Sequence, residues 1–71
     1  VEVVRREAPA LVGQTLGQAD VRARTGCTVI AVERDGRTVT SFGADLRIEN
    51  GDTLVVAGDD DAVDAFAGIA T

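Results

Sequence analysis

Residues 21–40, VRARTGCTVIAVERDGRTVT, decide the fold. The run from Thr28 to Arg34 is rich in β-branched residues and is followed by Asp35-Gly36 and then Arg37 to Thr40. Asp-Gly between two such runs is the strongest short hairpin signal, because both central residues of a type I′ turn need positive φ, which these two residues adopt at little cost. A two-residue turn fixes the register. It predicts Arg34 opposite Arg37, Glu33 opposite Thr38, Val32 opposite Val39, Ala31 opposite Thr40, Ile30 opposite Ser41 and Val29 opposite Phe42. Side chains alternate faces with period two, so Ile30, Val32 and Val39 are expected on one side and Val29, Ala31, Thr40 and Phe42 on the other. Both faces then carry apolar groups, and the side not covered by helices needs some other cover.

Upstream of this hairpin, Arg22 and Arg24 precede Gly26. Glycine suits the left-handed position that ends a helix, and cations near that end are favoured by the helix dipole. Further back, Thr15-Leu16-Gly17-Gln18 fits a capping box, with Thr15 and Gln18 each able to satisfy the other's amide. A short helix is expected there, carrying Leu16 and Ala19 inward and interrupted because Gly17 weakens it. Glu2 to Arg6 reads as a first strand stopped by Pro9, and Leu11-Val12-Gly13 as a connector.

Downstream, Leu46 and Ile48 form the inward pair of a segment with little periodicity, and Asn50-Gly51-Asp52 is a turn signal. Thr53 to Ala57 is a short uncharged run suited to a strand buried on both faces. Asp59-Asp60-Asp61 reads as the start of a last helix, where carboxylates are stabilising, rather than as a metal cluster. That helix is expected to turn Val63, Phe66, Ala67 and Ala70 inward, with Ile69 beside them. The class is α+β: a small, mainly antiparallel sheet with two helices on one face, dimerising through the other side.

The chain has 71 residues, one cysteine, no histidine and no methionine, and a net charge of −5 with all seven basic residues arginine. It forms one domain, residues 1–71, and reads as a fragment of a longer protein. At this size a core alone supplies about 3–5 kcal/mol. With an intrachain disulfide excluded and zinc lacking its ligands, association with another copy or domain is the remaining means of support. No stretch has the length of a membrane span, and no signal segment opens the chain, so direct membrane insertion is not expected and the fragment is placed in the cytoplasm. The acidic balance and scarcity of aromatic residues argue against nucleic-acid binding by this domain. A lysine-free, aspartate-rich surface suits a high-salt cytoplasm, and a GC-rich genome biases arginine over lysine in the same way.

Catalysis is not expected. His, Tyr and Trp are absent, Cys27 has no base to activate it and reads as a small packed residue, and no glycine loop cradles a phosphate ahead of a helix. Most nucleophile and acid–base constellations cannot be assembled, and neither catalytic nor metal-ligating residues are expected. A carboxylate pair from the acidic loop and helix start is the one enzyme reading left, and it requires a perturbed carboxylate in a cleft.

Four segments occur together in one order: Leu11 to Leu16, Asp20 to Gly26, Val29 to Gly36 and Gly51 to Gly58. In this pattern the chain resembles the C-terminal domain of regulators of potassium conductance, the TrkA C-terminal domain. The resemblance implies a regulatory module that forms a homodimer and has no cofactor of its own. It usually follows an upstream nucleotide-binding domain or a transmembrane transport domain of a potassium channel or transporter, which would hold it at the inner face of the membrane. In some members the groove between two protomers binds cyclic di-AMP as effector, and the positions matching the ligand contacts here are Arg22, Thr28 and Val29, with Phe42 nearby. Thr28 stands where known binders carry asparagine, and Phe42 where many members have proline. Two other roles are compatible with the resemblance: a purely structural dimerisation module, and a sensor fused to a transcription regulator.

Overall fold

The computed structural model describes residues 1–71. In chain order the elements are β1 (Glu2–Glu7), a single 3-10 turn (Pro9–Leu11), α1 (Leu16–Ala19), α2 (Val21–Thr25), β2 (Thr28–Arg34), β3 (Arg37–Val39), β4 (Thr53–Gly58) and α3 (Asp60–Ala70). The four strands form one antiparallel sheet in the order β1-β4-β2-β3. The uncharged run predicted to be buried on both faces is thus a central strand, and Leu54, Val55 and Val56 are all buried.

The hairpin turns as its sequence dictates. Asp35 and Gly36 have φ of 52° and 75°, the positive values a type I′ turn requires, and the register is Arg34 opposite Arg37, Glu33 opposite Thr38 and Val32 opposite Val39. Pairing stops there. The expected pairs Ala31–Thr40, Ile30–Ser41 and Val29–Phe42 do not form, because after Val39 the chain leaves the sheet to run beside residues 13–17.

The expected face assignment of β2 is corrected by a β-bulge. Against β4, Thr28 pairs with Ala57 and Val29 with Val56, whereas Ala31 pairs with Val55 and Val32 with Leu54, so Ile30 is the extra residue. Val29 and Val32 therefore share the helix-covered face, Ala31 points to the opposite one, and Ile30 is left 42% exposed. Val29 does not lie on the uncovered face with Ala31.

One core fills the space between the sheet and the helices. Val32, Leu54 and Val56 from the sheet meet Ala19 and Val21 from the broken helix pair, Ala62, Phe66 and Ala70 from α3, and Leu11 and Ile48 from the loops. On α3 the buried line is Ala62-Phe66-Ala70, spaced by four, with Val63 and Ile69 packed alongside. The cap of α3 is the expected one: the Ala62 amide donates to Asp59 Oδ1 at 2.8 Å, while Asp60 and Asp61 occupy the first turn.

The capping box at Thr15 is complete, with the Gln18 amide donating to Thr15 Oγ1 at 3.1 Å and the Thr15 amide to Gln18 Oε1 at 2.9 Å. The interruption falls at Asp20, which has φ 50° and ψ 46° and separates α1 from α2, not at Gly17. Gly17 has a different task. A Cβ there would sit 3.2 Å from both the carbonyl oxygen and the Cβ of Ala44, and the Gly17 amide donates to that oxygen at 2.9 Å.

No helix covers the other side of the sheet, yet Val55 and Ala31 are buried there at 5% and 6% exposure. Arg5 on β1 and Glu33 on β2 form an ion pair at 3.2 Å that crosses this face over β4. Long charged side chains can cover apolar surface with their stems while their heads stay wet.

Candidate functional site

A hollow of about 310 Å³ opens where the broken helix pair, the start of β2 and the segment after β3 meet. Each of its walls has a local cause. The left-handed break at Asp20 turns the chain so that α2 presents Arg22, and Gly26, at φ 86°, ends that helix and delivers Cys27 to the core and Thr28 and Val29 to the hollow. The facing wall is Phe42 to Ala44. It is held by backbone bonds from Gly17 to Ala44 and from Leu16 to Leu46, each 2.9 Å.

The structure brings together all four candidate site residues: Arg22, Thr28 and Val29, matched by resemblance, and Phe42 beside them all line this hollow. Their location differs from the one reached through strand alternation. The hollow is on the helix side of the sheet and at its edge, since the bulge turns Val29 toward the core and Phe42 lies outside β3. Val29 is half-buried and supplies floor, Phe42 is half-buried and supplies wall, and Arg22 and Thr28 are exposed at the mouth. Arg22 takes part in no ion pair and no side-chain hydrogen bond, so its guanidinium fork is available to an anion. Arg24 is used locally, donating to the Ala19 carbonyl at 3.3 Å. Cys27 is fully buried, as a packed residue should be.

Sequence reasoning missed the residues that hold the far side of the site. Phe42 and Gly43 also line a second hollow, of about 370 Å³, which contains Arg34, Arg47 and Asp45. Arg34 is the centre of this region. It donates from Nε and Nη2 to the two carboxylate oxygens of Asp52 at 2.8 and 2.6 Å, from Nη2 to the Arg47 carbonyl at 2.9 Å, and lies 3.3 Å from Glu49. Asp52 is only 3% exposed and also accepts the Glu49 amide at 2.9 Å. The Arg34 fork holds the Asp52 carboxyl below the usual carboxylate range, outweighing the opposing effect of burial, and the same contact raises the Arg34 pKa. Arg47 in turn donates to the Gly13 carbonyl. The segment from Phe42 to Asp52 is thereby pinned on one side by residues 13–17 and on the other by β2.

The remaining perturbed group does not build an enzyme site. Glu2 is raised by its contact with Asp60, but it is fully exposed on the edge strand rather than in a cleft with a second reactive group. No helix is long and apolar enough to cross a membrane.

The family model described as the TrkA-C domain matches residues 1–70. Among solved structures, the RCK_C domain dimer of S. agalactiae BusR in complex with c-di-AMP aligns with a TM-score of 0.83 at 26% identity, over 97% of this chain and 95% of that one. The RCK C domain of the potassium transport protein KtrA, also in complex with c-di-AMP, aligns with a TM-score of 0.87 at 28% identity, over 94% and 80%. S. agalactiae BusR in complex with its busAB-promoter DNA aligns with a TM-score of 0.80 at 28% identity, over 96% of this chain but only 34% of that one. No curated protein sequence matches the chain significantly.

The BusR complex corrects the partner expectation, which joined a homodimer to an upstream nucleotide-binding or transmembrane transport domain and excluded nucleic acid. That exclusion concerns this domain, whereas a chain carrying a domain of this fold is found on promoter DNA, so the set of partners widens to a longer chain bound to DNA. The physical reason is one of scope: a net charge of −5 describes the surface of 71 residues and carries no information about what other parts of a longer chain bind.

Proposed function

We propose a function from one premise: this chain belongs to the TrkA-C domain family. The domain is a regulatory, non-catalytic module of a potassium transport system that pairs with a second copy and takes cyclic di-AMP at the groove between the two. The observation that carries this reading is the convergence of Arg22, Thr28, Val29 and Phe42 on one open hollow with an unengaged guanidinium at its mouth. A hollow of about 310 Å³ is at the small end of the range for ligand sites, about 300–1,000 Å³. Two such hollows facing each other across a two-fold axis suit a ligand that is itself two-fold. Each Arg22 then meets one phosphate, each Val29 gives an apolar floor, and Phe42 offers a ring face to an adenine. Thr28 presents a hydroxyl in place of the asparagine amide found in known binders, which leaves one polar contact per protomer at that position.

Two relatives support the ligand class, since the BusR and KtrA domains are both described in complex with c-di-AMP. Calorimetry of the purified chain with cyclic di-AMP, paired with sedimentation, tests the reading. Binding at one ligand per two chains, lost on Arg22→Ala, is the expected result. The absence of heat at several temperatures, with no thermal shift, overturns it.

A second reading keeps the same groove and changes the protein it controls. BusR on promoter DNA motivates it: there the domain belongs to a longer chain bound to DNA, and the groove would serve as the effector-sensing part of a transcription regulator. The residues adjoining Val1 in the parent protein discriminate the two. A winged helix favours the second reading, and a nucleotide-binding or membrane domain the first.

A further inference from the structure

The sheet has two edges of unequal character. β3 is three residues long and ends where the chain leaves the sheet, whereas β1 is six residues long, contains no proline and pairs with β4 in an unbroken register from Glu2 to Glu7. Open edge strands are ordinarily shortened, bulged, interrupted by proline or charged to prevent pairing with another chain. β1 is neither short, bulged nor broken by proline; its charges, Glu2, Arg5, Arg6 and Glu7, are of both signs and so can complement a second copy, and Val3 on it is 59% exposed. We propose that the free edge of β1 pairs with β1 of a second copy of this chain, antiparallel about Val4, joining two four-stranded sheets into one of eight.

The register follows from symmetry and charge. Two strands related by a two-fold axis perpendicular to their common sheet must place residues of the same face opposite each other, so the axis passes through a residue paired with its own copy. Centred on Arg5, the pairing sets two like charges against each other. Centred on Val3, it sets Glu2 against Val4 and leaves Arg6 without a carboxylate. Centred on Val4, it places Glu2 opposite Arg6 twice and Val3 opposite Arg5 twice. Opposite charges directly across a strand pair are stabilising and like charges destabilising.

Neither of the two charges that meet in this register makes a side-chain ion pair within its own chain. Glu2, Val4 and Arg6 pair with Gly58, Val56 and Leu54 of β4, which places all three on the helix side. There Glu2 lies against the carboxyl of Asp60, with Asp64 adding to the repulsion. Arg6 makes no ion pair, while Arg5, on the opposite face, is already engaged by Glu33. Within the chain the Val1 ammonium offsets the repulsion at Glu2 only in part, and the second copy adds a guanidinium opposite Glu2. This edge is the far side of the sheet from β2 and β3, so the contact is independent of the groove at Arg22.

Sedimentation equilibrium of the 71-residue chain without nucleotide, at low and high salt, tests the proposal with charge reversals, and circular dichroism checks that each variant is folded. Glu2→Arg and Arg6→Glu are each expected to weaken self-association at least about tenfold, because each converts two attractive pairs into two repulsive ones. The double variant Glu2→Arg/Arg6→Glu is expected to restore it to within about threefold, since both pairs are attractive again. Amide exchange adds a local readout: protection within residues 2–6 should rise with protein concentration. A monomer at all concentrations, an assembly unchanged by either reversal, or a double variant no better than the singles overturns the proposal.

Discussion

Asp52 is buried and receives both arms of the Arg34 guanidinium, at 2.8 and 2.6 Å, across eighteen positions of sequence. The contact closes the loop between β3 and β4 onto β2. The same arginine holds the Arg47 carbonyl, so the pair fixes the segment that carries Phe42. Asp52→Ala is expected to destabilise the fold by about 2–4 kcal/mol, because it leaves a half-buried arginine without its bidentate partner and removes a buried carboxylate that also holds the Glu49 amide. Arg34→Lys should recover only part of the wild-type stability, since an ammonium cannot reproduce the planar fork. Urea unfolding of Asp52→Ala, Arg34→Ala and the double variant checks both statements, and the double should cost clearly less than the sum.

The same carboxylate gives stability a sign with respect to pH. The folded-state pKa of Asp52 lies below its unfolded value, so its contribution is complete above the unfolded value, about 4, and is lost as pH falls through the lowered folded value. Glu2 runs the other way: raised beside Asp60, it binds a proton more tightly in the folded state, and stability gains as pH falls through that raised value. Urea midpoints measured from pH 7 to pH 3 should fall less steeply for Asp52→Asn than for wild type in the acid limb. Glu2→Gln should remove the small opposing gain at milder pH.

Arg22 separates binding from folding. Its side chain is exposed and makes no hydrogen bond or ion pair, so Arg22→Ala should change unfolding free energy by no more than about 0.5 kcal/mol. Its loss should nevertheless weaken cyclic di-AMP binding by about 1.5–3 kcal/mol, the range for a charge-assisted bond. Thermal melts with and without ligand, run on the same variant, measure the two quantities side by side.

Phe42 is a shared wall. It lines both hollows, so Phe42→Ala should join them and leave the Arg22 hollow without its aromatic wall. The expected outcome is weaker cyclic di-AMP binding together with a destabilisation smaller than that of a core aromatic, because Phe42 is only half-buried. Parallel calorimetry and urea titration decide this. Phe66→Ala, at a fully buried position, is the internal comparison and should cost about 3–5 kcal/mol.

Gly58 packs rather than turns. A Cβ there would lie 2.9 Å from both Cys27 Sγ and Ala62 Cβ, at the junction of β4 with the helix that follows. Gly58→Ala is expected to cost about 1–3 kcal/mol through overpacking. Removing one of the two clashing atoms in a Gly58→Ala/Cys27→Ala variant should relieve part of the strain. Denaturant midpoints of the three proteins provide the check.

Features set by neighbouring residues could be read directly from the sequence. The Asp35-Gly36 turn, the first three hairpin pairs, the Thr15–Gln18 box and the Asp59 cap each depend on atoms within a few positions, and each formed as read. The bulge at Ile30 had no such signal, because Thr28 to Val32 is an uninterrupted stretch of strand-forming residues in which any one could be the extra. The Arg34–Asp52 contact was equally silent, since it depends on where a loop returns. Arg22, Thr28 and Val29 come from resemblance rather than periodicity, and Phe42 from the turn register. Alternation alone placed Val29 beside Ala31, and the bulge set the two on opposite faces.

That extra residue acts as a phase shift of half a strand period. Downstream of Ile30 the alternation is locked to the Asp35-Gly36 turn, and upstream it is locked to Gly26 and the helix end, so the two halves of one strand answer to different anchors. Deleting Ile30 would force one of them to yield: either the hairpin slides against β4, or Thr28 and Val29 rotate away from the hollow. The sheet and the groove are therefore separately adjustable. Residues between Gly26 and Ile30 that line the hollow can change while the hairpin beyond remains in register, and a single inserted position is sufficient to decouple the two.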